Sequence, residues 1–362
     1  MSDKAYLILE NGKVFEGKSF GAKGTVIAEV VFATGMTGYL ETLTDKSYYG
    51  QMVVQTFPLI GNYGIIRSDF ESKNIHMSAY IVNQWCEEPS NFRSGGNLDA
   101  FLMEQQIVGL YDIDTRALVR IIRENGVMNG MITNSLNDID FSKISGYKVQ
   151  NAVSSVSAKE AYIVKEDNAK YKVALMDFGL KDNIVRELVK RGCEVTVLPY
   201  NTSADEIIKL SPDGIMLSNG PGDPAENVEI IECLKKLTQT KIPMFGICLG
   251  HQLLALANGC KTSKLKYGHR GANQPVKDLT TGRVYITSQN HGYAVESNSI
   301  DESIADEVFV NVNDSTCEGI TYKNAPVFTV QFHPEACGGP KDTSFLFDRF
   351  IKMMGVSDNA VR

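Results

Sequence analysis

The hydrophobic and polar positions divide the chain into two halves with different periodicities. In the C-terminal half, short apolar runs alternate with segments whose apolar residues recur at helical spacing, which is typical of a doubly wound, mostly parallel α/β sheet. The predicted strands are 171–178, 193–199, 214–217 and 242–247, and the predicted helices are 181–191, 204–210, 228–238 and one that begins at Leu249. After residue 259 the pattern becomes strand-like, before a strand at 327–332 and a last helix at 345–354.

The N-terminal half has β-branched and aromatic residues between glycines, at 5–9, 14–16, 25–34 and 52–56, and it therefore predicts a β-rich domain. One amphipathic helix is predicted over 115–124. Its apolar stripe consists of Leu118, Ile121 and Ile122, and the opposite face carries Arg116, Arg120 and Arg123. These arginines face either a partner or only water. The polar segment 151–170 has no strong periodicity. We therefore predict domains at 1–150 and 171–357, joined by a linker at 151–170.

Composition narrows the class of protein. The 362 residues, 43% hydrophobic and 22% charged, suffice for two ordinary domains. A net charge of −7 without a Lys/Arg run argues against nucleic-acid binding, and no apolar run is long enough to span a membrane. The N-terminus lacks the basic and long apolar regions of a secretory signal. Seven cysteines without paired short spacing indicate reduced thiols, so we expect a cytoplasmic protein with no metal site.

The segment 245–252 closes a predicted strand and opens a predicted helix, with Gly246 and Gly250 on either side of Cys248. This is the G-x-nucleophile-x-G pattern of a nucleophile elbow, where small neighbours let the backbone bend sharply and expose the central side chain. The free N–H groups at the start of the helix favour the thiolate form. However, most cysteines have only a packing role, and turns of this kind also bind phosphates, so a partner base must decide.

The candidate base is His333, which follows the predicted strand 327–332 and precedes Pro334 and Glu335. Proline ends the strand, so the imidazole leaves at the strand's end, where Glu335 orients the ring and stabilises its protonated form. A histidine at a strand end is usually structural when it occurs alone. Together with the elbow, Cys248, His333 and Glu335 form a candidate nucleophile, base and orienting carboxylate.

The motif G-I-C-L-G-H-Q followed by H-P-E resembles the signature of class I glutamine amidotransferases, which have a flavodoxin-like fold. The resemblance implies that Cys248 attacks the side-chain amide of glutamine, giving a γ-glutamyl thioester and ammonia. It assigns contacts with L-glutamine to Gly220, Gly222, Leu249, Gln252, Asn290, Gly292 and Tyr293. The N–H groups of Leu249 and Gly222 are the expected oxyanion donors, although the loop 218–224 viewed alone is typical of an ordinary turn. His251 in the elbow motif and His291 in the segment Q-N-H-G-Y from Gln289 are alternative candidate bases, but each lies within a motif for which the resemblance assigns the base to His333.

The N-terminal half resembles the small subunit of carbamoyl phosphate synthetase, through F-A-T-G-M-T-G-Y-L-E from Phe32, P-L-I-G-N-Y-G from Pro58 and D-I-D-T-R from Asp112. With Y-G-H-R-G-A-N-Q-P-V from Tyr267, the similarity spans almost the whole chain. It implies that Ser47 of the first domain contacts glutamine bound by the second, and that the first domain contacts a large synthetase subunit. Lys46 stands where relatives commonly have proline, and Cys337 where serine is common.

The same resemblance implies that this chain holds no cofactor, because ATP and Mg²⁺ act on the large subunit to make carbamoyl phosphate for arginine and pyrimidine synthesis. The sequence accordingly has no G-x-x-x-x-G-K-[ST] phosphate loop. Two other functions stay open. One is a free-standing cysteine hydrolase of a glutamyl amide that needs no partner. The other is a non-catalytic adaptor that regulates a synthetase, against which the complete triad argues.

Overall fold

A computed structural model describes residues 3–359 of the chain, with side chains through residue 355. Within these residues the chain forms two compact units that divide between Ala152 and Val153. The first two residues of the segment for which no secretory signal is expected lie outside the described part. No helix of the described residues is long and apolar enough to cross a membrane.

The first unit is built around a closed barrel, which confirms the β-rich domain predicted for the N-terminal half. Going around the barrel, the strand order is β1-β2-β8-β6-β4-β3-β9, and β5 pairs separately with β7. The strands are β1 (Lys4–Leu9), β2 (Val14–Gly21), β3 (Val26–Ala33), β4 (Gln51–Gln55), β5 (Leu59–Ile60), β6 (Ala79–Ile81), β7 (Gln84–Trp85), β8 (Val108–Tyr111) and β9 (Met128–Thr133). The helices are α1 (Tyr39–Thr44), α2 (Leu98–Glu104), α3 (Thr115–Asn125) and α4 (Phe141–Ser145).

Helix α3 confirms the predicted amphipathic segment. Its first turn is capped by Asp114, whose side chain accepts a hydrogen bond from the N–H of Ala117 at 2.9 Å. Leu118 and Ile122 are fully buried against the barrel core, and Ile121 is half-buried. The three arginines of the opposite face are exposed. The helix therefore stabilises the barrel through one apolar stripe.

The second unit contains one mixed sheet with the strand order β10-β12-β11-β13-β14-β19-β18-β17-β15-β16. Its strands are β10 (Tyr162–Val164), β11 (Tyr171–Asp177), β12 (Cys193–Pro199), β13 (Gly214–Leu217), β14 (Met244–Ile247), β15 (Thr262–Asp278), β16 (Val284–Val295), β17 (Ala305–Asn311), β18 (Cys317–Tyr322) and β19 (Val327–Val330). Its helices are α5 (Ala152–Val156), which begins at the division, α6 (Asp182–Val189), α7 (Ala204–Lys209), α8 (Val228–Thr238), α9 (Leu249–Ala257) and α10 (Phe345–Asn359).

The central strands β12-β11-β13-β14-β19 are parallel and have the flavodoxin-like order that the alternating pattern and the resemblance predict. Helices cover both faces. One apolar cluster joins the sheet to α7, α8 and α9, and the other joins it to α6 and α10. The strands β15 to β18 extend the sheet in antiparallel fashion, since short connections without an α-helix suffice between them. The sheet is thus parallel only in its centre.

The segment 151–170, expected to be a linker, contains α5 and β10, and β10 pairs antiparallel with β12. Both elements are too short, at five and three residues, to show a periodic pattern in the sequence. The strand predicted at 327–332 ends at Val330, and the last helix extends beyond 354 to Asn359.

We expect Ile122→Ala to lower the free energy of unfolding of the full chain by about 2–5 kcal/mol, because it leaves a cavity under α3. Ile121→Ala on the same helix is the matched control and should cost clearly less, since Ile121 is only half-buried. Urea unfolding of both variants measures the difference. Equal losses would show that α3 does not pack on the barrel mainly through Leu118 and Ile122.

Candidate active site

Cys248 occupies a strained turn between β14 and α9. Its φ of 52° and ψ of −103° lie outside the regions that residues with a side chain ordinarily adopt. Its N–H donates to the carbonyl of Val330 at 2.9 Å, which fixes the turn against β19. A Cβ atom on Gly250 would lie 2.5 Å from the carbonyl oxygen of Leu217, so this position accepts only glycine. The predicted elbow is therefore present, with its geometry imposed by close packing.

Parallel pairing brings the candidate nucleophile and base to one edge of the sheet. Strands β14 and β19 are neighbours, with Ile247 paired with Val330, so both chains leave the sheet at their carboxyl ends. The N–H of His333 then donates to the carbonyl of Ser288 at 2.9 Å. Open α/β sheets bind ligands at this edge, which makes it the candidate active site.

The ring of His333 is held by Glu335. Its Nδ1 lies 2.7 Å from Oε1 of Glu335, and both residues are 2% exposed. Because Nδ1 is occupied in this way, Nε2 is the ring nitrogen available to the thiol of Cys248. Nε2 has no hydrogen-bond partner of ordinary geometry within the described residues, and the Cys248 thiol is near enough to contribute to the raised pKa of His333. The structure thus brings Cys248, His333 and Glu335 together in the order of a nucleophile, base and orienting carboxylate.

Electrostatics keep the ring protonated. Burial alone would lower the pKa of His333, and the charge of Lys181 acts in the same direction. The charge of Glu335 and hydrogen bonds with Cys248 and Glu335 outweigh both and raise the pKa of His333 to about 9. Burial would raise the pKa of Glu335, but the charges of His333 and Lys181 hold it below its usual value. Near neutral pH the pair is an imidazolium and a carboxylate.

Lys181 is a member of the site that sequence reasoning missed. Its Nζ lies 3.4 Å from Nδ1 of His333 and 3.8 Å from Oε1 of Glu335, and its side chain is only 12% exposed. Asn183, two residues later, donates from its side-chain amide to the carbonyl of Glu335. Both residues lie at the start of α6, after β11. A lysine at a helix start carries no local signal of such a role, since only the folded sheet brings it to His333.

The loop 218–224 lies against the elbow, as expected for an oxyanion site. The N–H of Gly250 donates to the carbonyl of Ser218 at 3.1 Å. A Cβ atom on Gly220 would lie 2.8 Å from Cδ2 of Leu249 and 2.2 Å from the carbonyl oxygen of Phe178. Gly222 has a φ of 91°, which favours glycine. The roles of Gly222 and Leu249 as oxyanion donors stay predictions.

The predicted glutamine contacts on β16 also lie beside the elbow. The carbonyl oxygen of Asn290 is 3.7 Å from Sγ of Cys248. The amide nitrogen of Gln252 donates to the carbonyl of Tyr293 at 2.7 Å and to Oε1 of Gln331 at 2.9 Å. Gly292 follows in the same strand, and a Cβ atom there would lie 3.3 Å from Nη2 of Arg270. Gln252 therefore ties α9 to β16, and its direct contact with glutamine stays a prediction.

Ser47 lies in the first unit, in a 3₁₀ turn at Lys46–Tyr48, where its N–H donates to Oδ1 of Asp45 at 2.9 Å. Its predicted contact with glutamine stays a prediction.

The two further histidines of the motifs are buried and neutral. Nδ1 of His251 lies 2.8 Å from Oγ1 of Thr329, and burial lowers the pKa of His251 to about 3. Burial likewise lowers the pKa of His291 far below its usual value, and the charge of His269 lowers it further. Neither ring is an imidazolium near neutral pH, in keeping with the assignment of the catalytic proton to His333.

Comparison with known proteins covers both units. The model of the class-I glutamine amidotransferases matches residues 174–353, and that of the carbamoyl-phosphate synthase small chain, CPSase domain, matches residues 7–132. The carbamoyl phosphate synthase small chain of Clostridium perfringens is 52% identical over 352 residues, covering 96% of this chain and 99% of that protein. The small chain of Bacillus cereus is 52% identical over 353 residues, covering 97% and 96%. A pyrimidine-specific small chain from Bacillus subtilis is 51% identical over 358 residues, covering 98% and 97%.

We expect Glu335→Gln to lower the pKa of His333 from about 9, because the neutral amide no longer stabilises the imidazolium. A raised pKa stabilises the fold fully below the ordinary value of about 6.5, and this stabilisation disappears as the pH rises through about 9. The variant should therefore lose on the order of 1–3 kcal/mol of unfolding free energy at pH 6 and less at pH 9.5.

Ring NMR titration and urea unfolding at the two pH values test this expectation. The matched control is Glu187→Gln, which removes a carboxylate of α6 that is paired with Arg191. It should leave the pKa of His333 unchanged. A loss of stability that grows with pH would contradict the assignment.

Proposed function

The chain belongs to the family of carbamoyl phosphate synthase small chains, and from this we propose that it hydrolyses L-glutamine and delivers the ammonia to a large synthetase subunit. One observation carries the chemistry. Cys248 lies in a strained elbow beside a buried His333–Glu335 pair, at the carboxyl edge of adjacent parallel strands. That arrangement supplies a nucleophile, a proton donor and a fixed ring orientation in one place.

The first half of the reaction uses the protonated state of His333. The Cys248 thiolate attacks the carboxamide carbon of glutamine, and the N–H groups of Leu249 and Gly222 stabilise the oxyanion. His333 then donates its proton to the departing nitrogen. The carbon–nitrogen bond breaks, ammonia leaves, and a γ-glutamyl thioester stays on Cys248. A pKa of about 9 means that the resting site already holds the required proton.

The second half reverses the role of His333. The neutral ring removes a proton from water, the resulting hydroxide attacks the thioester, and the carbon–sulfur bond breaks to release glutamate. The thiolate and the imidazolium are then restored. Glu335 and Lys181 have opposing effects on the ring, because Glu335 raises the pKa of His333 and Lys181 lowers it. Their balance keeps His333 basic enough to be protonated at rest and acidic enough to give the proton away.

The ammonia released must pass to a partner subunit without meeting bulk water, because water near neutral pH protonates it and ammonium is not a nucleophile. We assign the acceptor chemistry, with its ATP, Mg²⁺ and bicarbonate, to the large subunit, with which this chain forms a heterodimer through its first unit. The absence of a phosphate-loop motif from the sequence supports this division. None of the seven cysteines forms a disulfide within the described residues, which supports a cytoplasmic location.

The product serves pyrimidine and arginine synthesis in this proposal. The relative from Bacillus subtilis carries a pyrimidine-specific name, whereas those from Clostridium perfringens and Bacillus cereus carry no pathway in theirs.

We expect Cys248→Ala to lower glutamine-dependent carbamoyl phosphate synthesis by the complex at least about 10³-fold, because the nucleophile is lost. Synthesis from added ammonium salt should persist, since it needs only the large subunit. Cys337→Ser is the matched control, because Cys337 is exposed and lies close in sequence to Glu335, and both activities should survive.

Loss of ammonia-dependent synthesis in an assembled Cys248→Ala complex would contradict the proposed division of labour. Full glutaminase activity of the isolated chain, unchanged by the large subunit, would instead support a free-standing hydrolase. Unimpaired glutamine-dependent synthesis in the variant would support an adaptor.

A further inference from the structure

A second cluster of buried titratable groups lies in the antiparallel part of the second unit, and the mechanism above does not use it. His269 on β15, His291 on β16 and Glu318 on β18 each direct one potential ligand atom to a common point. Within the described residues these three atoms all lie within 4.8 Å of one another. All three residues are buried, and the two rings meet edge to face with centroids 4.9 Å apart.

The outer nitrogen of each ring is already held by an acceptor. Nε2 of His269 lies 2.8 Å from Oδ2 of Asp314, and Nδ1 of His291 lies 2.7 Å from the carbonyl oxygen of Tyr293. A carboxylate and a carbonyl oxygen accept hydrogen bonds, so these outer nitrogens carry the ring hydrogens. The inner nitrogens, Nδ1 of His269 and Nε2 of His291, therefore present lone pairs to the interior of the cluster when the rings are neutral.

The remaining atoms of the cluster are also acceptors. Oε1 of Glu318 accepts from the amide of Asn311 at 3.0 Å and lies 3.6 Å from Nδ1 of His269. Oε2 of Glu318 and Nδ1 of His269 have no hydrogen-bond partner within the described part of the chain. Oε1 of Gln289 lies 3.0 Å from Nε2 of His291. Buried acceptors that face one another repel, so a proton or a cation must lie among them.

We propose that His269, His291 and Glu318 form a binding site for one divalent cation, and that this cation is Zn²⁺. Two imidazole nitrogens and one carboxylate oxygen are a ligand set that zinc prefers, with one position left for water or for Oε1 of Gln289. The bonds from Asp314 and the Tyr293 carbonyl to the outer nitrogens are the second contacts that orient metal-bound histidines in proteins. Zn²⁺ would displace the proton of His269 into solvent, so binding should tighten as the pH rises.

A cation bound at this site would fix the position of neighbouring strands. Its ligands join β15, β16 and β18, and His291 lies between Asn290 and Gly292, two of the predicted glutamine contacts. A cation would therefore hold β16 in place beside Cys248. Cation binding stands apart from the proposed function, whereas an effect on glutamine rests on it. We expect removal of the cation to raise KM for glutamine about tenfold while kcat changes little.

The binding test uses Zn²⁺ alone, titrated into the full metal-free chain against a competing chelator, without glutamine. The titrated chain carries Cys248→Ala and Cys337→Ser, because thiols also bind zinc. Cys248 lies beside His333, and Cys337 is exposed. We expect one Zn²⁺ per chain, and an affinity at least about 10²-fold weaker after Glu318→Gln or His269→Asn. Asp314→Asn, which removes only the outer partner of His269, should weaken binding about 10–100-fold.

Controls separate loss of the site from loss of the fold. His251→Asn removes another fully buried histidine of the same unit and should leave zinc affinity unchanged. Circular dichroism of the metal-free variants shows whether they fold, and added Zn²⁺ should raise the Tm of the parent chain but not that of Glu318→Gln. Co²⁺ substituted at the site in the unmutated chain should show ligand-field bands without a sulfur charge-transfer band.

Three results would overturn the proposal. Absence of stoichiometric binding in the titrated chain would mean that a proton shared by His269 and Glu318 satisfies the cluster. Unchanged affinity in folded Glu318→Gln and His269→Asn variants would place the cation elsewhere. A sulfur charge-transfer band in the unmutated chain, with no binding after Cys248→Ala, would place it in the catalytic centre. None of these results depends on glutaminase activity, so they leave the proposed function to its own test.

Discussion

The parallel pairing of β14 with β19 is the constraint on which the catalytic chemistry depends. Cys248 and His333 are far apart in sequence, and only the register of Ile247 against Val330 brings their side chains to one sheet edge. The backbone bond from Cys248 to the carbonyl of Val330 continues this pairing into the elbow itself. A shift of register by one residue would turn the side chains to opposite faces, so the helices packed on both faces also protect the site.

Pairing of charges helps to explain how a site this deeply buried is stable. Lys181 and the imidazolium of His333 lie beside the carboxylate of Glu335. Buried ions are costly unless they are paired and hydrogen-bonded. The short contact between His333 and Glu335 satisfies the ring, and the amide of Asn183 satisfies the backbone carbonyl of Glu335. The proposed catalytic acid is therefore also part of a paired and hydrogen-bonded buried network.

The sequence predicted the parts of the structure that depend on local chemistry. The elbow could be predicted from Gly246, Cys248 and Gly250 because steric limits on the turn act within a few residues. The end of a strand could be predicted from Pro334 for the same reason. The alternation of apolar runs with helical segments sufficed for the parallel strands, and the helical spacing of apolar residues sufficed for the stripe on α3. Lys181 and the cluster at His269 and Glu318 gave no such signal, because each depends on which strands become neighbours. The strand β10 was missed because three residues are too few to show a period.

The close contact of Gly250 with the carbonyl of Leu217 has a consequence for regulation. With no space for even a methyl group between α9 and β13, the backbone at the start of α9, next to Cys248, is packed tightly against β13. We therefore expect a signal that turns glutamine hydrolysis on or off to act on the surroundings of Cys248, namely the loop 218–224 or the end of β16. A segment of this enzyme that switches between two conformations is therefore to be sought in that loop or at the end of β16, and not in the tightly packed turn that carries Cys248.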